Sequence, residues 1–239
     1  MKLRTSDDSL DLALIGAPGH SSGRTPFENV YRGVIRALYE GRYVPGQRLI
    51  APDLMREFDV GRGTIREVLQ RLASTGVVQL VAQKGARVRR LSRREVTEVL
   101  DLVEVLLGLA ARGAAHAVVD PALHKGLQDR YEALTSSPFD TDFAGFVAAR
   151  EQYYRYLVQL GGNRELQRIF PSIQVHIMRM QLRAFNRAGD SIDLSDYGLL
   201  QSAVLSHDPE SAERAGRAHV QRTMGRIAEL PDRAFEPEG

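Results

Sequence analysis

The stretch from Arg62 to Thr75 has two faces that demand different surroundings. Ile65, Val68, Leu69 and Leu72 recur at helical spacing, and Arg62, Arg66 and Gln70 fall at i, i+4 and i+8 on roughly the opposite side. Such a helix must be packed from behind, and it presents long hydrogen-bond donors in front. The flanking residues supply the packing. Residues 26–41 predict a first helix, with Pro26 in its first turn, Val30, Val34, Ile35 and Leu38 at helical spacing and Gly41 as its stop. Val44-Pro45-Gly46-Gln47 is a turn signal, and a short helix is expected from Pro52 to Phe58. After Gly76, Val77–Val81 and Ala86–Arg90 are β-prone, with Gln83-Lys84-Gly85 as the hairpin tip between them. Helix, short helix, turn, helix and two-stranded hairpin is the order of a winged helix-turn-helix.

Beyond residue 91 the pattern is helical throughout. Ser92-Arg93-Arg94-Glu95 reads as a capping box opening a long helix to Val118. Further helices are expected from Asp120-Pro121, over 141–160, from Asn163 to Arg187, and over 194–206 and 208–230, with a break at 188–192. The fold class is therefore mainly α: an N-terminal winged helix-turn-helix, α with a two-stranded β wing, followed by an all-α helical bundle. The expected divisions are a mobile arm over 1–25, a DNA-binding domain over 26–91, a helical effector-binding and dimerisation domain over 92–230, and a frayed tail over 231–239.

Charge follows this division. Residues 24–91 carry 13 basic and 6 acidic side chains, a net of +7, whereas residues 92–239 carry 17 and 21, a net of −4. A basic module on a mildly acidic body points to a polyanion partner for the first part. The chain has no cysteine, which excludes disulfides, thiolate catalysis and cysteine-held metal sites, and fits a reducing, cytoplasmic setting. No apolar run approaches the ~20 residues of a membrane span, so no membrane partner is expected.

The front of the Arg62–Thr75 helix suits the DNA major groove. Arginine grips guanine O6 and N7 bidentately, Gln70 adds a long amide, and Thr64 is of a type that binds phosphate or a thymine methyl. Lys84 at the hairpin tip, with Gly85 behind it, would approach the sugar-phosphate backbone, joined by Arg87 and by Arg89 and Arg90. One such module reads few base pairs, so a homodimer on a pseudo-palindromic double-stranded operator is expected. The 92–118 helix, with Val99, Leu100, Val103, Leu106, Leu107 and Ala110, has more apolar surface than one inward face needs and is a candidate for the pairing.

Gly41-Arg-Tyr-Val-Pro-Gly-Gln-Arg-Leu49, Val60-Gly-Arg-Gly-Thr-Ile-Arg-Glu-Val-Leu-Gln-Arg-Leu-Ala73, Gly76 and the Lys84-Gly85 tip resemble a GntR-type winged helix-turn-helix. The helical body resembles the FadR-like FCD effector domain of that superfamily, through its helix order, Gly162-Asn163 and His219. The resemblance implies a ligand-responsive repressor. The chain departs from the family's usual Ser-Arg-Thr-Pro turn, having Gly61 and Gly63-Thr64 around Arg62, and it has Ala51 where an acidic residue is common.

Many FCD domains hold a divalent metal through an Asp and a His four apart on one helix and two later His residues. The resemblance places these positions at Arg150, Tyr154, Tyr197 and His219. A guanidinium does not ligate metal and a neutral Tyr is a poor ligand, so no metal and no other cofactor is expected. Phe143, Phe146, Val147, Arg150, Tyr154, Leu157 and Val158 form one helical stripe, which places Arg150 and Tyr154 among apolar neighbours. An inward arginine needs a partner. Either Arg150 pairs with an internal carboxylate or snorkels outward, with Tyr154 and Tyr197 as ordinary core aromatics, or Arg150 with Tyr154, Tyr197 and His219 binds an anionic effector, with Arg179 and Arg183 near His176 as further candidates. His20, His116, His124 and His207 have no paired spacing. Two other functions fit the same residues: an enzyme working through Arg150, Tyr154, Tyr197 and His219, although nucleophile elbow, phosphate loop and paired carboxylates are all missing, and an architectural DNA binder whose body only dimerises.

Overall fold

The computed structural model describes residues 25–82, 85–138, 142–170, 181–182 and 194–238. Its contacts separate two compact units. One holds residues 25–93, Gln181 and Leu182, and the segment from Asp232; the other holds the helices between Arg94 and Pro231.

In the first unit, α1 (Pro26–Tyr39) starts on a reciprocal cap: the Glu28 N–H donates to Thr25 Oγ1 at 3.2 Å and the Thr25 N–H to Glu28 Oε2 at 3.1 Å. Its Val30, Val34, Ile35 and Leu38 are buried, as are Ile65, Val68, Leu69 and Leu72 of α3 (Arg62–Ser74), on which it packs. Helix α2 (Ala51–Phe58) completes the three-helix core, with Phe58 lying against Gly33 of α1.

The wing has three strands rather than two. β1 (Arg48–Leu49), β2 (Val78–Val81) and β3 (Gly85–Val88) form an antiparallel sheet in the order β1-β3-β2, with Leu49 opposite Ala86 and Leu80 opposite Ala86 on the other side. β1 escapes sequence reading because two residues carry no periodicity. It also changes the role of Gly85. That residue has φ +88°, and a Cβ there would run into the Leu49 carbonyl oxygen. Glycine is required here by the chain's own strand pairing.

The segment 232–238 is not frayed. A 3₁₀ turn (Asp232–Ala234) leads into Phe235, and Ala234 and Phe235 are both buried. The Arg93 guanidinium stands 4.3 Å from the Phe235 ring centroid and bonds Asp232 at 3.0 Å. Leu91 is enclosed from two sides. Its carbonyl accepts from the Glu236 N–H at 3.0 Å and from Gln181 Nε2 at 2.8 Å, and its N–H donates to Gln181 Oε1 at 2.6 Å. Gln181 Nε2 also donates to the Ala234 carbonyl at 2.8 Å. The side-chain amide thus substitutes for a neighbouring strand.

The second unit contains α4 (Arg93–Ala117), α5 (Pro121–Thr135), α6 (Phe143–Leu160), α7 (Arg164–Ile169), α8 (Leu194–Leu205) and α9 (Pro209–Ala228). Glycines let helices meet backbone to backbone. A Cβ on Gly216 of α9 would lie 2.9 Å from the Leu107 carbonyl oxygen of α4, and one on Gly113 of α4 2.7 Å from Gly161 Cα. Of the α4 residues expected to offer spare apolar surface, Leu100, Leu106, Leu107 and Ala110 are buried in the unit. The exposed apolar residues of α4 are instead Leu102, Val105 and Leu109. The helix predicted from Asn163 begins as α7, with Asn163 accepting from the Leu166 N–H at 3.0 Å. Most of its further course, the break at 188–192 and the expected arm over 1–24 lie outside the described residues.

Candidate functional site

Two groups of side chains stand out, one in each unit. On α3, Arg62, Arg66 and Gln70 are exposed and Thr64 is half-buried, while the apolar stripe behind them is buried. Arg62 is the first residue of the helix, whose N-cap Gly61 supplies no side-chain bond. Neither Arg62 nor Arg66 is paired with a carboxylate among the described residues. Arg87 on β3 is exposed and donates through Nε to the Gly46 carbonyl at 2.8 Å, which fixes its stem. Lys84 lies outside the described residues.

In the helical unit, Arg150 and Tyr154 of α6, Tyr197 of α8 and His219 of α9 converge. Arg150 Cζ is 5.5 Å from the Tyr154 ring centroid and 5.6 Å from that of Tyr197. Tyr197 and His219 are 4.8 Å apart between centroids, and the Tyr154 hydroxyl is 2.7 Å from His219 Nε2. The other ring nitrogen, Nδ1, lies 3.3 Å from the Asp196 carbonyl oxygen. A carbonyl only accepts, so Nδ1 carries the proton and Nε2 accepts from Tyr154. Burial, reinforced by the Arg150 cation, pushes the His219 pKa down to about 4, against the weaker pull of Asp196. His219 is neutral near pH 7, and both its nitrogens are committed.

Sequence reading missed the residues that hold this arrangement. Asp196, 2% exposed, receives Arg222 Nε and, at 2.8 Å, Arg226 Nη1 on its carboxylate. Tyr153 is fully buried, edge-on to Tyr154 and Tyr197, and donates to Gln201 at 3.2 Å. The only sequence signal was that Arg222 and Arg226 follow His219 at helical spacing. Asp196 looked like an ordinary first-turn acid.

With Asp196 taken by two arginines, Arg150 is left without a carboxylate among the described residues. Its Nε is buried and has no acceptor. These residues do not fit a divalent metal: Arg150 is a cation, and His219 Nε2 already accepts a hydroxyl. No group of three His, Cys, Asp or Glu side chains with metal-binding geometry occurs among the described residues. Arg179 and Arg183, with His176, lie outside them.

A winged helix-turn-helix joined to a separate helical unit with a buried polar cluster defines a DNA-binding regulator with a sensing domain. Residues 26–88 match the bacterial regulatory proteins of the gntR family and residues 98–222 match the FCD domain; the chain belongs to this family of GntR regulators carrying an FCD domain. It is a ligand-responsive DNA-binding transcription regulator and not an enzyme. It is 24% identical over 191 residues, 78% of this chain and 82% of the other, to the "Probable D-xylose utilization operon transcriptional repressor" of Paenarthrobacter nicotinovorans. It is 27% identical over 209 residues, 77% of this chain and 76% of the other, to the HTH-type transcriptional repressor NanR of Cronobacter sakazakii. The fold resembles that of E. coli McbR/YncC, with TM-score 0.71 and 18% identity over 87% of this chain and 99% of that one. No helix among the described residues is long and apolar enough to cross a membrane.

Proposed function

We propose that this regulator is a cytoplasmic homodimeric repressor, released from a pseudo-palindromic operator by a small effector bearing a carboxylate or similar anionic group. The observation that carries the effector class is the buried Arg150 Nε, a donor with no acceptor, on a guanidinium beside two tyrosine rings. Arginine has only donors, so an acceptor-only group completes it, and a carboxylate does so bidentately. Tyr154 and Tyr197 border the bound group. His219 acts one step removed, by orienting the Tyr154 hydroxyl. No metal takes part.

On the DNA side, Arg62, Thr64, Arg66 and Gln70 face base edges, and Lys84, Gly85 and Arg87 belong to a wing lying along phosphates. The exposed Leu102, Val105 and Leu109 on α4, spaced three and four apart, support pairing with a second copy, which a two-fold operator requires.

The test is a titration of operator affinity with a panel of small carboxylic acids, using the parent and Arg150→Ala. At least one acid should weaken parent binding tenfold or more and leave Arg150→Ala unresponsive, with DNA binding by the free variant intact. A parent that responds only to uncharged ligands, or a variant that responds normally, overturns the reading.

A further inference from the structure

Arg62 has glycine on both sides, and the fold asks for neither. Gly61 has φ −73°, Gly63 lies in the first turn of α3, and a Cβ at either position meets nothing within 4 Å. Gly63 differs in this from Gly85 and Gly216, where the backbone of another element excludes a side chain. Glycine in a helix is less favourable than alanine, so Gly63 weakens α3 with no return inside the unit.

The position explains what is gained. At 3.6 residues per turn, Gly63 lies about 20° from Gln70 around the helix, about 60° from Arg66 and about 40° from Glu67. It is nearly opposite the buried stripe of Ile65, Val68, Leu69 and Leu72. The centre of the exposed face is therefore bare main chain, ringed by long polar side chains. Gly225 on α9 is an equally bare helical glycine, but it lies in the other unit, outside the winged helix-turn-helix.

We infer that Gly63 is a specificity-determining residue: the gap it leaves admits the edge of a DNA base pair to van der Waals contact with the α3 main chain, and so brings Arg62, Arg66 and Gln70 within reach of their bases. This rests on α3 being the helix that reads DNA. A side chain at position 63 would hold the helix off the groove floor, and base-edge contacts are lost steeply with distance, whereas flexible arginines still reach phosphates.

The experiment starts from an operator selected out of a random duplex library with the full-length protein. Gly63→Ala, Gly225→Ala and Arg66→Ala are compared for melting temperature, for affinity to the selected operator and for affinity to an unrelated duplex. Gly63→Ala should melt at the parent's temperature or above, bind the unrelated duplex as the parent does, and bind the operator at least tenfold more weakly. Gly225→Ala should match the parent on both DNAs. Parent-like operator affinity in Gly63→Ala, with Arg66→Ala impaired, overturns this inference alone; parent-like affinity in both overturns the placing of α3 in the groove. Equal weakening of Gly63→Ala on both DNAs also overturns it, since the loss would then not concern bases.

Discussion

The Tyr154 hydroxyl donates to His219 Nε2 across 2.7 Å, joining α6 to α9 at the point where Arg150 Nε is buried without an acceptor. The bond locks His219 in the tautomer whose Nδ1–H donates to the Asp196 carbonyl. Hydrogens in this chain run from Tyr154 to His219 to Asp196, away from Arg150. The Tyr154 oxygen keeps its lone pairs on the guanidinium side, and the histidine cannot serve the ligand directly.

The burial of His219 beside Arg150 has a consequence for stability against pH. His219 titrates near 4 in the folded protein and near 6.5 when unfolded. The unfolded chain therefore binds the proton first, and stability falls as pH drops from about 6.5 toward 4, by up to ~3 kcal/mol. Urea unfolding at pH 7.0 and 4.5 should show this loss in the parent and a smaller one in His219→Gln. Identical losses in the two proteins would refute it.

Asp196 holds two guanidiniums from the end of α9. Asp196→Ala leaves both without their anion and removes a buried acceptor. Breaking a buried pair costs about 3–5 kcal/mol, and because Arg222 and Arg226 both reach solvent the loss here is expected at about 2 kcal/mol. Chemical denaturation measures it, and a midpoint equal to the parent's would contradict the pairing.

Gly85→Ala should be among the most damaging single changes in the N-terminal unit. It places a side chain in the left-handed region and drives its Cβ into the Leu49 carbonyl oxygen. Strain of this kind costs about 1–3 kcal/mol before any steric term. A thermal melt should show a drop of several degrees, together with weakened DNA binding as β1 is pushed from β3.

Arg62→Ala or Arg66→Ala should cost ~1–3 kcal/mol on the selected operator and relax preference at one base pair. Arg87→Ala should weaken all sequences alike and reduce the salt dependence of binding by about one unit. Binding curves at several salt concentrations separate the two patterns.

Val105→Glu places a charge in the middle of the exposed α4 stripe. Light scattering at micromolar concentration should give a dimer for the parent and a monomer for the variant, with the helical content of the two unchanged. A dimeric variant would move the pairing surface elsewhere.

The sequence made the α1–α2–α3 core legible because each helix has a one-sided apolar pattern, and burial follows that pattern residue for residue at Ile65, Val68, Leu69 and Leu72. The resemblance to the FCD domain put Arg150 and Tyr154 with Tyr197 and His219, and the apolar periodicity of α6 agreed with that register. What stayed hidden was non-local. β1 exists only because β3 pairs with it, and Phe235 is buried only because Arg90–Arg93 wait for it. Gln181 and Asp196 take their partners across 90 and 26 positions, where no local pattern records them.

The clasp around Leu91 also has a history in time. Arg90 donates to the Arg233 carbonyl, a partner 143 positions later in the chain. On a ribosome, the DNA-binding helices emerge long before residues 232–236, so for most of synthesis the unit exists with Leu91 uncovered and its own main chain unpaired. Closing so long a loop adds only a modest entropic cost, because the cost grows with the logarithm of length. It does impose an order of events, in which the reading head is completed only after the helices of the other unit have been made.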